Sequence, residues 1–174
     1  MVQTPVRQIT LAEFLALPDT KPASEYIDGK VVQKSMPQMQ HSVIQKQVLS
    51  TIDPILSDAG IAQAFLELQC IFDGWAIVPD VAVFEDERIP HDENGEIANI
   101  FSSYPDWIIE ILSPDESTIK LLKNISYCLA HGTQMGWLID PIDPSLSVCP
   151  IAICKLLTSL PLYCQYQNLR RQSS

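Results

Sequence analysis

Two carboxylates stand where the sequence is otherwise apolar. Asp80 lies within Ile77-Val78-Pro79-Asp80-Val81-Ala82-Val83-Phe84, and Glu110 within Trp107-Ile108-Ile109-Glu110-Ile111-Leu112. Both segments are short and rich in β-branched residues, the pattern of strands covered on both faces. An ionised carboxylate there costs several kcal/mol unless something compensates it. Roughly thirty residues separate the two, a strand–loop–strand spacing, so one shared cation could answer both charges. Carboxylates are hard oxygen ligands suited to Mg²⁺ or Mn²⁺. Magnesium typically keeps several waters and takes one or two carboxylates, leaving room for a substrate phosphate. Lys120 and Lys123 follow the Glu110 segment, three residues apart in sequence. A lysine leaning back over the strand ends could orient or help deprotonate an attacking water, or stabilise charge building on phosphate. Glu25, just before an Asp28-Gly29 turn, is a further candidate acid.

These residues need a frame to hold them. Thr10-Leu11-Ala12-Glu13 has capping-box spacing and opens a short helix through about Ala16, before Pro18. Residues 25–32 read as a hairpin across Asp28-Gly29. Val43, Ile44, Val48, Ile52, Ile55 and Leu56 recur at helical spacing, predicting an amphipathic helix from about His41 to Ala59, closed by Gly60. A second hairpin is expected from Ala62 to Phe72, across Asp73-Gly74, into the Asp80 segment. The polar stretch Glu85 to Ser103 reads as a loop. The Glu110 strand stops at Ser113-Pro114, and Asp115-Glu116-Ser117 starts a helix to about His131, with acids placed as the helix dipole favours. Met135 to Asp140 is a further strand. Strand, loop, strand, helix, strand implies an α/β core with a right-handed crossover.

Each candidate also has a structural explanation. Asp80 alone could be the buried partner of a lysine or of backbone amides, and Lys123 alone could be a solvated helix lysine. Glu25 could be exposed beside its turn. His41 fits a helix-start or packing residue better than a ligand, and Trp107 and Trp137 fit core or rim aromatics better than base-stacking platforms. It is the clustering of acids with a nearby lysine that marks a site.

Taken in order, the motifs resemble a known family. Pro79-Asp80 followed by Glu110 is similar to the PD-(D/E)xK nuclease core. More specifically, the chain resembles the Uma2 family of restriction-endonuclease-like proteins, cyanobacterial type. The matching pieces are Glu25-Tyr26-Ile27-Asp28-Gly29, His41 at a helix start, Val78-Pro79-Asp80-Val81, and Glu110-Ile111-Leu112-Ser113-Pro114. They continue with Lys123 four residues before Tyr127, Gly132, and Trp137-Leu138-Ile139-Asp140-Pro141, over roughly residues 8–142. The resemblance implies a restriction-endonuclease-like core, an α/β fold with a central mixed β-sheet flanked by helices. It implies that Asp80 and Glu110 bind a divalent metal, that Lys123 is the catalytic lysine with Lys120 as its rival, and that Glu25 is an accessory acid. Leu112 stands where the PD-(D/E)xK pattern has its lysine, so the helix must supply one.

The 174 residues suit one domain, expected over 1–143. The hydrophobic fraction of 47% and charged fraction of 18% are those of a globular protein. No window approaches the run of about 20 apolar residues that spans a bilayer. Met1-Val2-Gln3-Thr4-Pro5 lacks the marks of a signal peptide, so a cytoplasmic location is expected. The five cysteines contain no Cys-x-x-Cys pair and read as reduced, packed thiols. After Pro144 the pattern degrades. Residues 144–174 form an atypical tail with Cys149, Cys154, Cys164, Lys155, Arg170 and Arg171 and no acid, as a truncation or frameshift would produce. The expected function is metal-dependent hydrolysis of DNA phosphodiester bonds with Mg²⁺ or Mn²⁺. A homodimer is compatible with cutting both strands. The net charge of −10 favours the alternative, a binding or regulatory module with weak or lost catalysis, because nucleic-acid binders usually carry a basic face.

Overall fold

The computed structural model describes residues 9–98, 100–114 and 116–141; the tail from 144 onward lies outside the described residues. Helix α1 (Leu11–Leu15) opens on the expected capping box: the Thr10 hydroxyl accepts from the Glu13 amide, and the Glu13 carboxylate accepts from the Thr10 amide. The first hairpin pairs β1 (Ser24–Ile27) with β2 (Lys30–Gln33), and Asp28 and Gly29 both take positive φ, as a two-residue turn of this kind requires. Helix α2 (Met39–Asp58) runs through Pro54 without ending there.

The second hairpin departs from the expected pair of unbroken strands. It forms four: β3 (Ala62–Leu66), β4 (Cys70–Phe72), β5 (Trp75–Ile77) and β6 (Val81–Glu85). Pro79 has no amide hydrogen to give to a ladder, so pairing fails around it. On the opposite strand Glu67 takes a positive φ of 48°. Both arms therefore break at the same level. The outer halves join β1 and β2 in a sheet of order β2-β1-β5-β4, and the inner halves join β7 (Trp107–Ile111) and β8 (Met135–Ile139) in a sheet of order β3-β6-β7-β8. Asp80 consequently sits in the break between β5 and β6 rather than within a strand, whereas Glu110 lies inside β7 as expected.

The β3-β6-β7-β8 sheet is mixed: β6 runs antiparallel to β3 and β7, while β8 is parallel to β7, reached through helix α3 (Thr118–Ala130). Side-chain alternation splits the core between its two faces. Val81, Val83, Trp107 and Ile109 pack with Ile52 and Leu56 of α2, while Ala82, Phe84 and Ile108 pack with Leu121, Ile125 and Cys128 of α3. The helices thus flank the central sheet, as a restriction-endonuclease-like core requires. Helix α3 starts at Thr118, a little later than the expected acidic cap. The 85–103 segment is not purely a surface loop either: it contains a 3₁₀ turn over Asp86–Arg88 and sends Ile89 and Phe101 into the core. Cys70 and Cys128 are free and buried among apolar side chains. Trp107 and Trp137 meet edge to face within the sheet. Among the described residues, no helix is long and apolar enough to cross a membrane.

Candidate active site

The break at Pro79 builds the site. Strand amides freed from the ladder turn instead to acids: Val78 N–H donates to Glu25 Oε1 at 3.0 Å, and Asp80 N–H lies 3.4 Å from Glu110 Oε2. The Asp80 carbonyl accepts from the Gln45 side chain of α2 at 2.8 Å, which fixes the bend against the helix. Asp80 Oδ2 then accepts from the Ile111 amide of β7 at 2.7 Å. Glu25, Asp80 and Glu110 come together with exposures of 1%, 2% and 0%. Three sequence-predicted acids, from β1, the β5–β6 break and β7, therefore share one buried locus.

Two lysines serve it. Lys120, on the first turn of α3, pairs with Glu25 Oε2 at 2.8 Å and with Glu116 Oε1 at 3.5 Å. Lys34, just past the end of β2, donates to Asp80 Oδ1 and to the Val78 carbonyl, both at 2.7 Å, and its Nζ lies 4.0 Å from Glu110 Oε2. Sequence reasoning missed Lys34, because its partners lie 44 and 46 residues away and no local pattern announces them. Asn124, one turn beyond Lys120 on α3, was also missed; its Nδ2 is 3.4 Å from both Glu25 Oε1 and Glu110 Oε1. Its polar side chain on the buried face of α3, beside Leu121, Ile125 and Cys128, was the signal that could have found it. His41 lies at the locus as well, Nε2 3.4 Å from Asp80 Oδ1 and Nδ1 3.0 Å from Ser113 Oγ, so it is more than a helix-start residue.

The structure takes Lys123 elsewhere. Its ammonium pairs with the Asp28 carboxylate, half of its side chain is exposed, and it lies 5.5 Å from the centre of the Trp75 ring. Residues three apart on a helix are about 60° apart around its axis. That offset sends Lys120 to the acids and Lys123 to the β1–β2 turn.

The electrostatics follow from burial. Burial works to raise the Asp80 carboxyl, but the His41 contact and the Lys34 ammonium outweigh it and hold the group below the ordinary aspartate range. Glu110 goes the other way. Complete burial pushes it well above the glutamate range, Lys34 opposes this only partly, and Asp80, Glu25 and Glu116 push it further. Burial also raises Glu116, against Lys120 and Lys34. Lys34 itself loses stability as a cation through burial, and the acids Glu110, Asp80 and Glu25 more than restore it.

Four carboxyls (Glu25, Asp80, Glu110, Glu116) thus face two ammonium groups (Lys34, Lys120). With all four ionised, the locus is short by the charge of one divalent cation. Among the described residues, no three His, Cys, Asp or Glu side chains stand as a ready-made metal cage. A magnesium-type ion does not need one, since it takes one or two carboxylates and keeps water elsewhere. The donor set suits such an ion: Asp80 Oδ1 and the Val78 carbonyl already hold a cationic group, with Glu110 Oε2 close by. The locus opens on a cleft of about 350 Å³ whose walls include Lys21, Lys34, His41, Asp80, Ser113 and Glu116.

The sequence profile of the Uma2 family, described as "Putative restriction endonuclease", matches residues 11–151. No curated protein matches the chain. Among solved structures, a "putative nuclease belonging to DUF820" from Anabaena variabilis shares 61% sequence identity with a TM-score of 0.76, over 77% of this chain and 75% of that one. A buried acid cluster with lysines, seated at a strand break in a central mixed sheet, thus occurs in a chain that belongs to the Uma2 family of restriction-endonuclease-like proteins.

Proposed function

We propose that the chain is a metal-dependent nuclease that hydrolyses phosphodiester bonds of DNA, with Mg²⁺ or Mn²⁺ held by Asp80 and Glu110. The observation that carries this reading is the convergence of two buried carboxylates and a backbone carbonyl on one cation position, beside a cleft that Asp80 and Lys34 line. When bound, the ion would polarise the scissile phosphate and lower the pKa of a coordinated water. Lys120 takes the role expected of the helix lysine. It is held by Glu25 at the edge of the locus, where its charge can stabilise negative charge developing on phosphate. Glu25 is its positioning acid, and Asn124 ties Glu25 to Glu110. Cutting both strands of a duplex in one encounter would use two such sites, which a homodimer would supply.

Plasmid nicking with Mg²⁺ or Mn²⁺ tests the assignment. Asp80→Ala and Lys120→Met should each lose ~10²-fold or more, while Lys123→Met stays near the wild-type rate. Loss with Lys123→Met and not with Lys120→Met would reverse the lysine assignment. Equal nicking by all variants would mark a contaminant and remove the nuclease reading. The net charge of −10 favours a second reading, a nuclease-fold binding or regulatory module without turnover. An inactive wild-type protein that still binds DNA in the presence of the metal would select it.

A further inference from the structure

Lys34 is the cation that occupies the Asp80–Glu110 position, and nothing in the mechanism above gives it a part. Its Nζ donates to Asp80 Oδ1 and the Val78 carbonyl and stands near Glu110 Oε2, which are the oxygens a divalent ion would approach. Two cations cannot share Asp80 Oδ1 at contact distance without strong mutual repulsion in so buried a place. We propose that Lys34 is a displaceable counter-ion: its ammonium neutralises the acid pair while no metal is bound, and an entering divalent cation competes with it for the same oxygens. This inference rests on the metal reading of the site.

The surroundings allow the exchange. The Lys34 backbone is anchored, its amide donating to the Ala23 carbonyl at 2.9 Å, so only the side chain has to move. The side chain is 11% exposed and forms part of the cleft wall, so the released ammonium has an open path away from Asp80. Buried acids left without any counter-charge are strongly destabilising, which gives the metal-free protein a reason to keep such a lysine.

Calorimetric titration of the full chain with Mn²⁺, alongside thermal melts, tests the competition. Lys34→Met should melt lower than wild type without metal, bind Mn²⁺ about tenfold or more tightly, and gain more in Tm from Mn²⁺. Lys34→Gln, which keeps a donor for the Val78 carbonyl, should also bind more tightly and serves if the methionine variant fails to fold. Asp80→Asn should abolish binding in either background. Damage to a merely structural lysine would weaken metal binding, so a gain is diagnostic. Binding by the folded Lys34 variants that equals or falls below wild type would overturn the competition and leave the metal site standing. Absence of Mn²⁺ binding in wild type and Lys34 variants alike would overturn the metal reading, and the competition with it.

Discussion

At the scale of single residues, the site depends on charges that are tolerable only together. Glu25 is nearly inaccessible, accepts from the Val78 amide, and pairs with Lys120, whose side chain is four-fifths covered. Removing Glu25 takes from Lys120 its nearer partner and leaves it Glu116 alone at 3.5 Å. Removing Lys120 leaves the Glu25 carboxylate without its cation where water scarcely reaches, the expensive case for a buried pair. Glu25→Ala should cost ~3 kcal/mol in urea denaturation, since it also strands the Val78 amide. Glu25→Gln should cost less, because the amide oxygen can still accept from Val78. In a double-mutant cycle with Lys120→Met the two losses should overlap by ~1–2 kcal/mol. Strict additivity would show that the two side chains do not sense each other, and would undercut the role given to Glu25 as the residue that positions Lys120.

At the scale of elements, helix α3 carries two faces with different duties. Lys120 and Asn124 look into the acid cluster, while Lys123, Tyr127 and His131 fasten the two hairpin turns. Lys123 holds Asp28, Tyr127 stacks on Trp75 at 3.6 Å and donates to the Asp73 carbonyl, and His131 meets Asp73 Oδ2 at 2.6 Å. The other His131 ring nitrogen faces the Tyr127 carbonyl at 2.7 Å, so both nitrogens confront acceptors and only the imidazolium satisfies both. The Tyr127 carbonyl, with Asp73 adding to it, accordingly raises the His131 pKa above its ordinary value. A raised histidine contributes stability that is complete below pH ~6.5 and fades as pH climbs through the folded-state value. The Tm advantage of wild type over His131→Gln should therefore shrink as pH rises from about 6.5 through the folded-state value. The free-energy difference behind it should stay below about 1 kcal/mol throughout, because water screens a pair this exposed. A constant difference across that range would mean the ring acts by packing alone. The types and order of these elements were legible from periodicity and turn residues, because the capping box at Thr10, the Asp28-Gly29 turn and the apolar faces of α2 and α3 are local signals. The bend at Pro79 was half legible: a proline in a strand announces a lost donor, but not that the opposite strand breaks at the same level and passes into a second sheet. Lys34 was not legible at all, since its role exists only once β2 is laid beside that break.

At the scale of the whole molecule, the acidic balance constrains how nucleic acid can be held. Of the described cations, Lys34, Arg88, Lys120 and Lys123 are each engaged with a carboxylate, which leaves Lys21, Lys30 and Lys46 outside such pairs. Phosphate contacts release counterions, so the logarithm of DNA affinity falls with the logarithm of salt at a slope of about −0.9 for each phosphate neutralised. The three described cations outside such pairs can contribute a slope no steeper than about −3, and most of the affinity of this part of the chain should come through a divalent ion held at Asp80 and Glu110. Anisotropy titrations of a labelled duplex, with Ca²⁺ replacing Mg²⁺ to suppress cleavage, measure both properties. Binding should be shallow in salt, should vanish on chelation, and should be lost in Asp80→Asn. A steep slope that persists in chelator would place the DNA on a basic surface away from Asp80 and Glu110. The acid cluster would then be a structural feature of the fold rather than the point where substrate is gripped.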